Sequence, residues 1–247
     1  MSHKPTERVL NIFNILASHP SGLTLTDISK ALNIPKSTLS PILNEMTLQN
    51  FLYLNPENGL FTVGISTYYL SAAYDQTNEL IPHLKSVMKH IAAETNEICQ
   101  AGILDGGEVL YILKEEPLAD LPIRIISYVG KRLPAHCTAL GKALLLDYTL
   151  NDLVKVLPPT LESKTPNTIT SISDLYSQLQ HFRKEGICYE CEEVTPHLCC
   201  YAIPISLISK KKVALSVSIP LFRRSEEKIN QIKKMLLDAK AEIEALI

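Results

Sequence analysis

The 247-residue chain has no uninterrupted apolar run near the roughly 18–20 residues that a membrane-spanning helix requires, so no membrane partner is expected. It has no surplus of charge either: 24 Lys and Arg stand against 26 Asp and Glu, and no block of one sign stands out. That argues against a polybasic membrane anchor and a charged disordered tail. The opening MSHKPTERVL holds no apolar secretory core. The expected location is the cytoplasm, where thiols stay reduced. Internal repeats are absent too. What the chain does have is apolar content, 46%, enough to bury the cores of two domains or one large one.

Six cysteines then need a reading: Cys99, Cys137, Cys188, Cys191, Cys199 and Cys200. The group C-Y-E-C…H-L-C-C invites a zinc site, because zinc favours thiolates at short spacing. ICYECEE and LCCYAIPI read as strands, however, and residues three apart on a strand point to opposite faces. No Gly or Pro between Cys188 and Cys191 provides the turn a chelating pair uses. The expectation is reduced, buried strand cysteines and no metal.

Along the chain, TERVLNIFNILAS places Val9, Ile12, Phe13 and Leu16 on one helical face, and HPSG ends it. A second helix opens at LTLTDISKAL, where Thr24 and Asp27 have capping-box spacing. Asn33 tolerates the left-handed conformation that turns one helix into the next. A third helix follows from about Pro35, with Leu39, Ile42, Leu43 and Met46 inward. FLYLN and LFTVG flank PENG as a hairpin. Three short helices and a hairpin describe a winged helix-turn-helix, although a small helical interaction domain would share the topology. Residues 65–77 read as a helical linker.

The remainder, 78–247, reads as an α+β domain. NELIPHLKSVMKHIAAETNE is an amphipathic helix with Leu80, Leu84, Val87, Met88 and Ile91 on its apolar face. ICQAGILD and EVLYILKEE form a hairpin about a Gly pair, and PIRIISY a further strand. HCTALGKALLLDY, NDLVKVL and SISDLYSQLQHFRKEG read as helices, the last stopped by Gly186. ICYECEE, CCYAIPISLI and KVALSVSIP supply three closing strands, and a final helix starts at the Ser225 cap.

Three widely separated blocks, LTLTDISKALNIPKSTLSPIL, GKRLPAHCTALGKALL and EGICYECEEVTPHLCCYAIPI with ALSVSIP, resemble the IclR-type transcriptional regulators in order and spacing. The resemblance covers nearly the whole chain, and the block around CTALGKALL is its most specific part. It implies an N-terminal winged helix over 1–64, a linker over 65–77 and a GAF-like effector-binding domain with a mixed or antiparallel sheet over 78–247. It also implies dimers or tetramers that respond to a small organic acid or related metabolite, as a repressor at a double-stranded DNA operator. The alternative is a small-molecule sensor or protein-interaction module whose winged helix does not read DNA.

By resemblance, the effector pocket falls on Ala139, Leu140, Glu190, Cys199, Ser216 and Ser218. The residues agree with this on their own terms. A loop enters a helix at CTALGKALL, where N–H groups near Ala139, Leu140 and Gly141 lack helical partners. Ser216 and Ser218 are two apart and share a strand face, as do Cys188 and Glu190. Ordinary strand serines bonding nearby backbone would show the same spacing. A keto acid or sugar acid suits one acid, two hydroxyls and a helix start. His197, Glu190 and Cys199 supply a nucleophile and a base only on paper, so neither enzymatic activity nor a cofactor is expected.

In the third helix, Lys36, Ser37, Thr38 and Ser40 are the expected DNA contacts, since its N-terminal half meets the major groove. The wing at Asn55–Asn58 would approach the flanking backbone. Ser37 could instead cap its helix, and Lys36 could be a solvated lysine. Residues 1–65 carry four basic side chains (Lys4, Arg8, Lys30, Lys36) and four acidic ones (Glu7, Asp27, Glu45, Glu57). So balanced a module should bind DNA modestly per monomer and with a shallow salt dependence. Pro41 stands where such regulators commonly have Arg, and it predicts a delayed or kinked helix start.

Overall fold

The computed structural model describes residues 3–77, 80–117, 126–206 and 212–246, in two compact units, Met1–Ile81 and Pro82–Ile247. Each is taken by itself.

In the first unit, α1 (Lys4–Ala17) buries Ile12 and Leu16 and packs Val9 and Phe13 on the same core. Helix α2 (Leu25–Leu32) begins with the expected capping box, Thr24 and Asp27 each accepting a backbone N–H from the other. Asn33 stops it in the left-handed region at φ 52°. The hydroxyl of Ser29 donates to the Ile34 carbonyl at 2.7 Å, which pins the turn from the side of α2. Strands β2 (Leu52–Leu54) and β3 (Leu60–Val63) form the expected wing hairpin. A two-residue strand, β1 (Leu23–Thr24), pairs with β3 and was too short to carry a sequence signal.

Helix α3 spans Lys36–Leu48 and burdens the sequence expectation at Pro41. No delay occurs: Thr38 and Leu39 already donate to the Pro35 carbonyl at 2.9 and 3.1 Å, and Ser40 is helical. Pro41 sits in the second turn, where its missing N–H would have bonded Ser37. Both residues are exposed, so water can reach the Ser37 carbonyl. Leu39, Leu43 and Met46 bury the opposite face and offset the proline. Helix α4 (Ser66–Thr77) follows the wing.

The second unit is one six-stranded sheet in the order β6-β5-β4-β9-β8-β7, and every pairing among the described residues is antiparallel. Helix α5 (Leu80–Thr95) leads into β4 (Ile98–Asp105) and β5 (Glu108–Glu115), joined at Gly106 with φ 64°. Of the strand expected over 122–128, residues 122–125 lie outside the described residues, and 126–128 are not strand. A three-residue β6 (Arg132–Pro134) pairs with β5 instead. Helices α6 (Ala139–Leu144), α7 (Leu150–Val156) and α8 (Ile172–Glu185) come next, α8 ending on Gly186 at φ 75°. Strands β7 (Cys188–Cys191), β8 (Leu198–Ser206) and β9 (Lys212–Pro220) complete the sheet. After a 3-10 turn (Leu221–Arg223), α9 (Glu226–Ala245) returns onto β8 and β9.

Helix α6 lies directly on β8 and β9, every one of its residues buried. Gly141 makes that approach possible: a Cβ there would stand 2.1 Å from the Ala135 carbonyl oxygen. The core beneath includes Leu140, Leu144, Leu175, Leu179 and Phe182.

Candidate reading helix and effector pocket

On α3, Lys36 and Ser37 are exposed and Thr38 and Ser40 half-buried. Ser37 does not cap: Pro35 is the N-cap, and no side chain bonds the first turn. Its hydroxyl is therefore not spent on its own helix start.

In the second unit, a small cavity of about 30 Å³ opens between α6 and the sheet. Its floor is a product of register. Glu190, Cys200 and Ser218 stand directly opposite one another across β7, β8 and β9, and Ser216 stands opposite Gln100 of β4. Directly paired residues share a face, so all five project into the cavity. Ala139 and Leu140 close it from α6, with Tyr111, Leu133, Val194 and Leu198 as further apolar wall.

Cys199 is not among these residues. The sequence expectation was displaced by one position, and Cys200 lines the cavity in its place. Cys199 faces the other way in register with Cys191, and the two are joined as a disulfide, contrary to the expectation of reduced thiols. The register could not be counted from sequence, because both ends of the connecting loop use left-handed non-glycine residues, Glu192 (φ 59°) and His197 (φ 63°). The expectation of a free Gly141 N–H also fails, since Thr138 caps α6 and its hydroxyl accepts that hydrogen. Gln100, Tyr111 and Ser127 were missed. A lone glutamine inside the apolar ICQAGILD was the available signal for the first.

Glu190 is 2% exposed. Its Oε2 accepts the Glu193 backbone N–H at 2.9 Å. Burial raises its carboxyl to about 7, against the smaller pull of Cys200, that backbone bond and Lys142. The Cys200 thiol, 3.3 Å from the Ser218 hydroxyl, is pushed well above its ordinary range by burial and by Glu190. The amide of Gln100 donates to Ser127 at 2.6 Å.

Behind the cavity, Lys142 is fully buried and ion-paired with Glu193. Thr165 and Thr168 donate their hydroxyls to the Glu192 and Glu193 carbonyls, each at 2.6 Å, and hold that loop. Nothing in the sequence distinguishes Lys142 from a solvated lysine. Among the described residues no three of His, Cys, Asp and Glu come together to hold a metal ion, and no helix is long and apolar enough to cross a membrane.

This pairing of a helix-turn-helix unit with a cavity-bearing sheet domain has parallels. Residues 5–56 match the IclR helix-turn-helix domain, and residues 72–245 the C-terminal domain of bacterial IclR transcriptional regulators. The transcriptional regulator XynR of Escherichia coli K12 is 30% identical over 237 residues, 94% of this chain and 92% of that protein. An IclR regulator from Alicyclobacillus acidocaldarius superposes with a TM-score of 0.90 at 23% identity, covering 99% of both chains. An IclR homologue from Microbacterium hydrocarbonoxydans, crystallised with 4-hydroxybenzoate, superposes at 0.80 and 21% identity, covering 96% of this chain and 98% of that one. The helix-turn-helix and the cavity thus fall in the two segments that match one family: the chain belongs to the IclR family and is a ligand-responsive, DNA-binding transcriptional regulator.

Proposed function

We propose that the cavity beneath α6 is the effector site and that its ligand is a small organic or sugar acid. One observation carries this reading: Gln100, Glu190, Cys200, Ser216 and Ser218 converge from four strands on one cavity whose remaining wall is mostly apolar. Ala139 and Leu140 supply its lid. The 4-hydroxybenzoate held by the Microbacterium homologue is a monocarboxylate, in keeping with this class. The chain binds its ligand and does not turn it over.

Lys36, Ser37, Thr38 and Ser40 meet the operator. Helix 65–77 links the reader to a domain over 78–247, and a homodimer or tetramer spans two half-sites in the cytoplasm. Repression follows if the apo form holds the operator and the effector prefers the incompetent arrangement.

The test pairs a thermal-shift screen of organic and sugar acids with mobility shifts on the DNA upstream of the chain's own gene. An acid that both raises Tm and releases the DNA is expected, with Ser218→Leu insensitive to it. A flat response across the acids would sink the assignment.

A further inference from the structure

Among its described lining residues, the effector cavity contains a carboxyl group and no cation: Glu190 is present and Lys, Arg and His are absent. The cation behind it, Lys142, is fully buried and already committed to Glu193. The other titratable groups facing Glu190 are the Cys200 thiol on β8, the Tyr111 phenol on β5 and the Cys137 thiol ahead of α6. Burial holds each of these three neutral at physiological pH. Among the described residues, the charges around Glu190 therefore reduce to the Lys142–Glu193 pair, which sums to zero.

An organic acid entering this space brings a second carboxylate within reach of Glu190. Two like charges in a poorly hydrated cavity, with no cation between them, cannot both persist. Resting on the reading of this cavity as the effector site, we propose that the effector is a singly charged organic acid that binds together with one proton, shared between its carboxylate and the carboxyl of Glu190. The balance is direct: one ligand carboxylate, one Glu190 carboxylate and one proton from solvent give one hydrogen-bonded acid–carboxylate pair. Oε2 of Glu190 is engaged by the Glu193 N–H, so Oε1 carries the proton. The Ser216 hydroxyl and the Gln100 amide oxygen remain for the rest of the ligand, and the Ser218 hydroxyl can exchange its bond with the Cys200 thiol for one to the ligand. Dicarboxylates and phosphorylated compounds bring a further charge for which the described wall has no partner, and they are rejected. A Glu190 carboxyl raised to about 7 makes the proton exchangeable near neutrality.

The experiment is calorimetric titration of the full chain with 4-hydroxybenzoate, gluconate and a 2-keto acid, each beside its amide, from about pH 6 to about pH 9 in two buffers of different ionisation heat. Acid affinity should hold at the low end, where Glu190 already carries the proton and uptake is near zero. It should weaken at the high end, approaching about tenfold per pH unit as uptake approaches about one proton per acid bound. Glu190→Gln keeps a donor in place, so it should bind the acid with neither slope nor uptake. An affinity that is flat over this range, or a slope that survives in Glu190→Gln, overturns the inference. If that variant fails to fold, wild-type proton uptake decides alone. Ser218→Leu separates the two readings. Binding lost in Ser218→Leu but pH-independent in wild type overturns only the proton. Binding untouched by Ser218→Leu, or no binding of any acid, overturns the cavity assignment and the inference together.

Discussion

Glu193 clamps Glu190 through its backbone while its own side chain is clamped by Lys142. Its N–H donates to Glu190 Oε2 at 2.9 Å, and its carboxylate ion-pairs with the fully buried lysine of α6. The acid in the cavity floor is thereby tied to the helix that roofs it.

Removing one member of this pair strands the other. Lys142→Met leaves a buried carboxylate uncompensated, and a loss of about 3–5 kcal/mol is expected from urea unfolding. Lys142→Met combined with Glu193→Leu removes both charges and should recover much of the loss. A single variant within about 1 kcal/mol of wild type would mean that the pair is not buried in solution.

Two buried acids give the fold a pH dependence of unusual sign. Burial raises both Glu190 and Glu97 to about 7 from an ordinary 4.5, Glu97 despite Arg223 at 2.9 Å. The folded form holds these protons more tightly than the unfolded chain does. Their contribution is complete below about pH 4.5 and is lost as pH rises through about 7, to a limit of about 3 kcal/mol for the nearly inaccessible Glu190. Urea midpoints of wild type and Glu190→Gln should therefore diverge with pH, the variant gaining on wild type from about pH 5 to about pH 8. Parallel curves would refute a raised Glu190.

Gly141→Ala adds a methyl where backbone already stands, 2.1 Å from the Ala135 carbonyl and 2.4 Å from the Ala135 Cα. Backbone cannot swing aside as a side chain can, so α6 must lift from the sheet. A cost above about 3 kcal/mol is expected, beyond an ordinary overpacking penalty. Lowered Tm should accompany loss of acid binding. A variant as stable as wild type would show that α6 sits higher than described.

Pro41→Arg adds one cation to an exposed position on the reading helix and restores one backbone donor. Operator affinity should rise, and the log–log salt slope should steepen by about 0.9 for one added phosphate contact. Lys36→Ala should flatten it by a similar amount. Unchanged slopes would place α3 away from the phosphates.

What could be read from the sequence was what neighbouring residues decide. The Thr24–Asp27 capping box, the left-handed Asn33 and the Gly186 stop each need only a few adjacent side chains, and each formed as expected. The serines of β9 shared a face because strand parity is local. Cys199 was mistaken for Cys200 because parity across a hairpin depends on the loop between, and the left-handed Glu192 and His197 carry no compositional mark. Lys142 was illegible for a related reason: its partner lies 51 residues on, and only the packed sheet excludes water from both. The delayed start expected from Pro41 did not occur, since local propensity could not weigh the burial of Leu39, Leu43 and Met46.

The cavity floor draws on residues 100, 190, 200, 216 and 218, which reach one surface only when β4, β9, β8 and β7 are paired. No partially opened form of the domain keeps that floor, so on the proposed assignment ligand affinity belongs to the fully folded state. Saturation at a hundred times Kd then raises global stability by about 2.7 kcal/mol. Amide exchange should slow together in all four strands, including positions that never touch the ligand. Metabolite supply would in this way set the lifetime of the regulator as well as its grip on DNA.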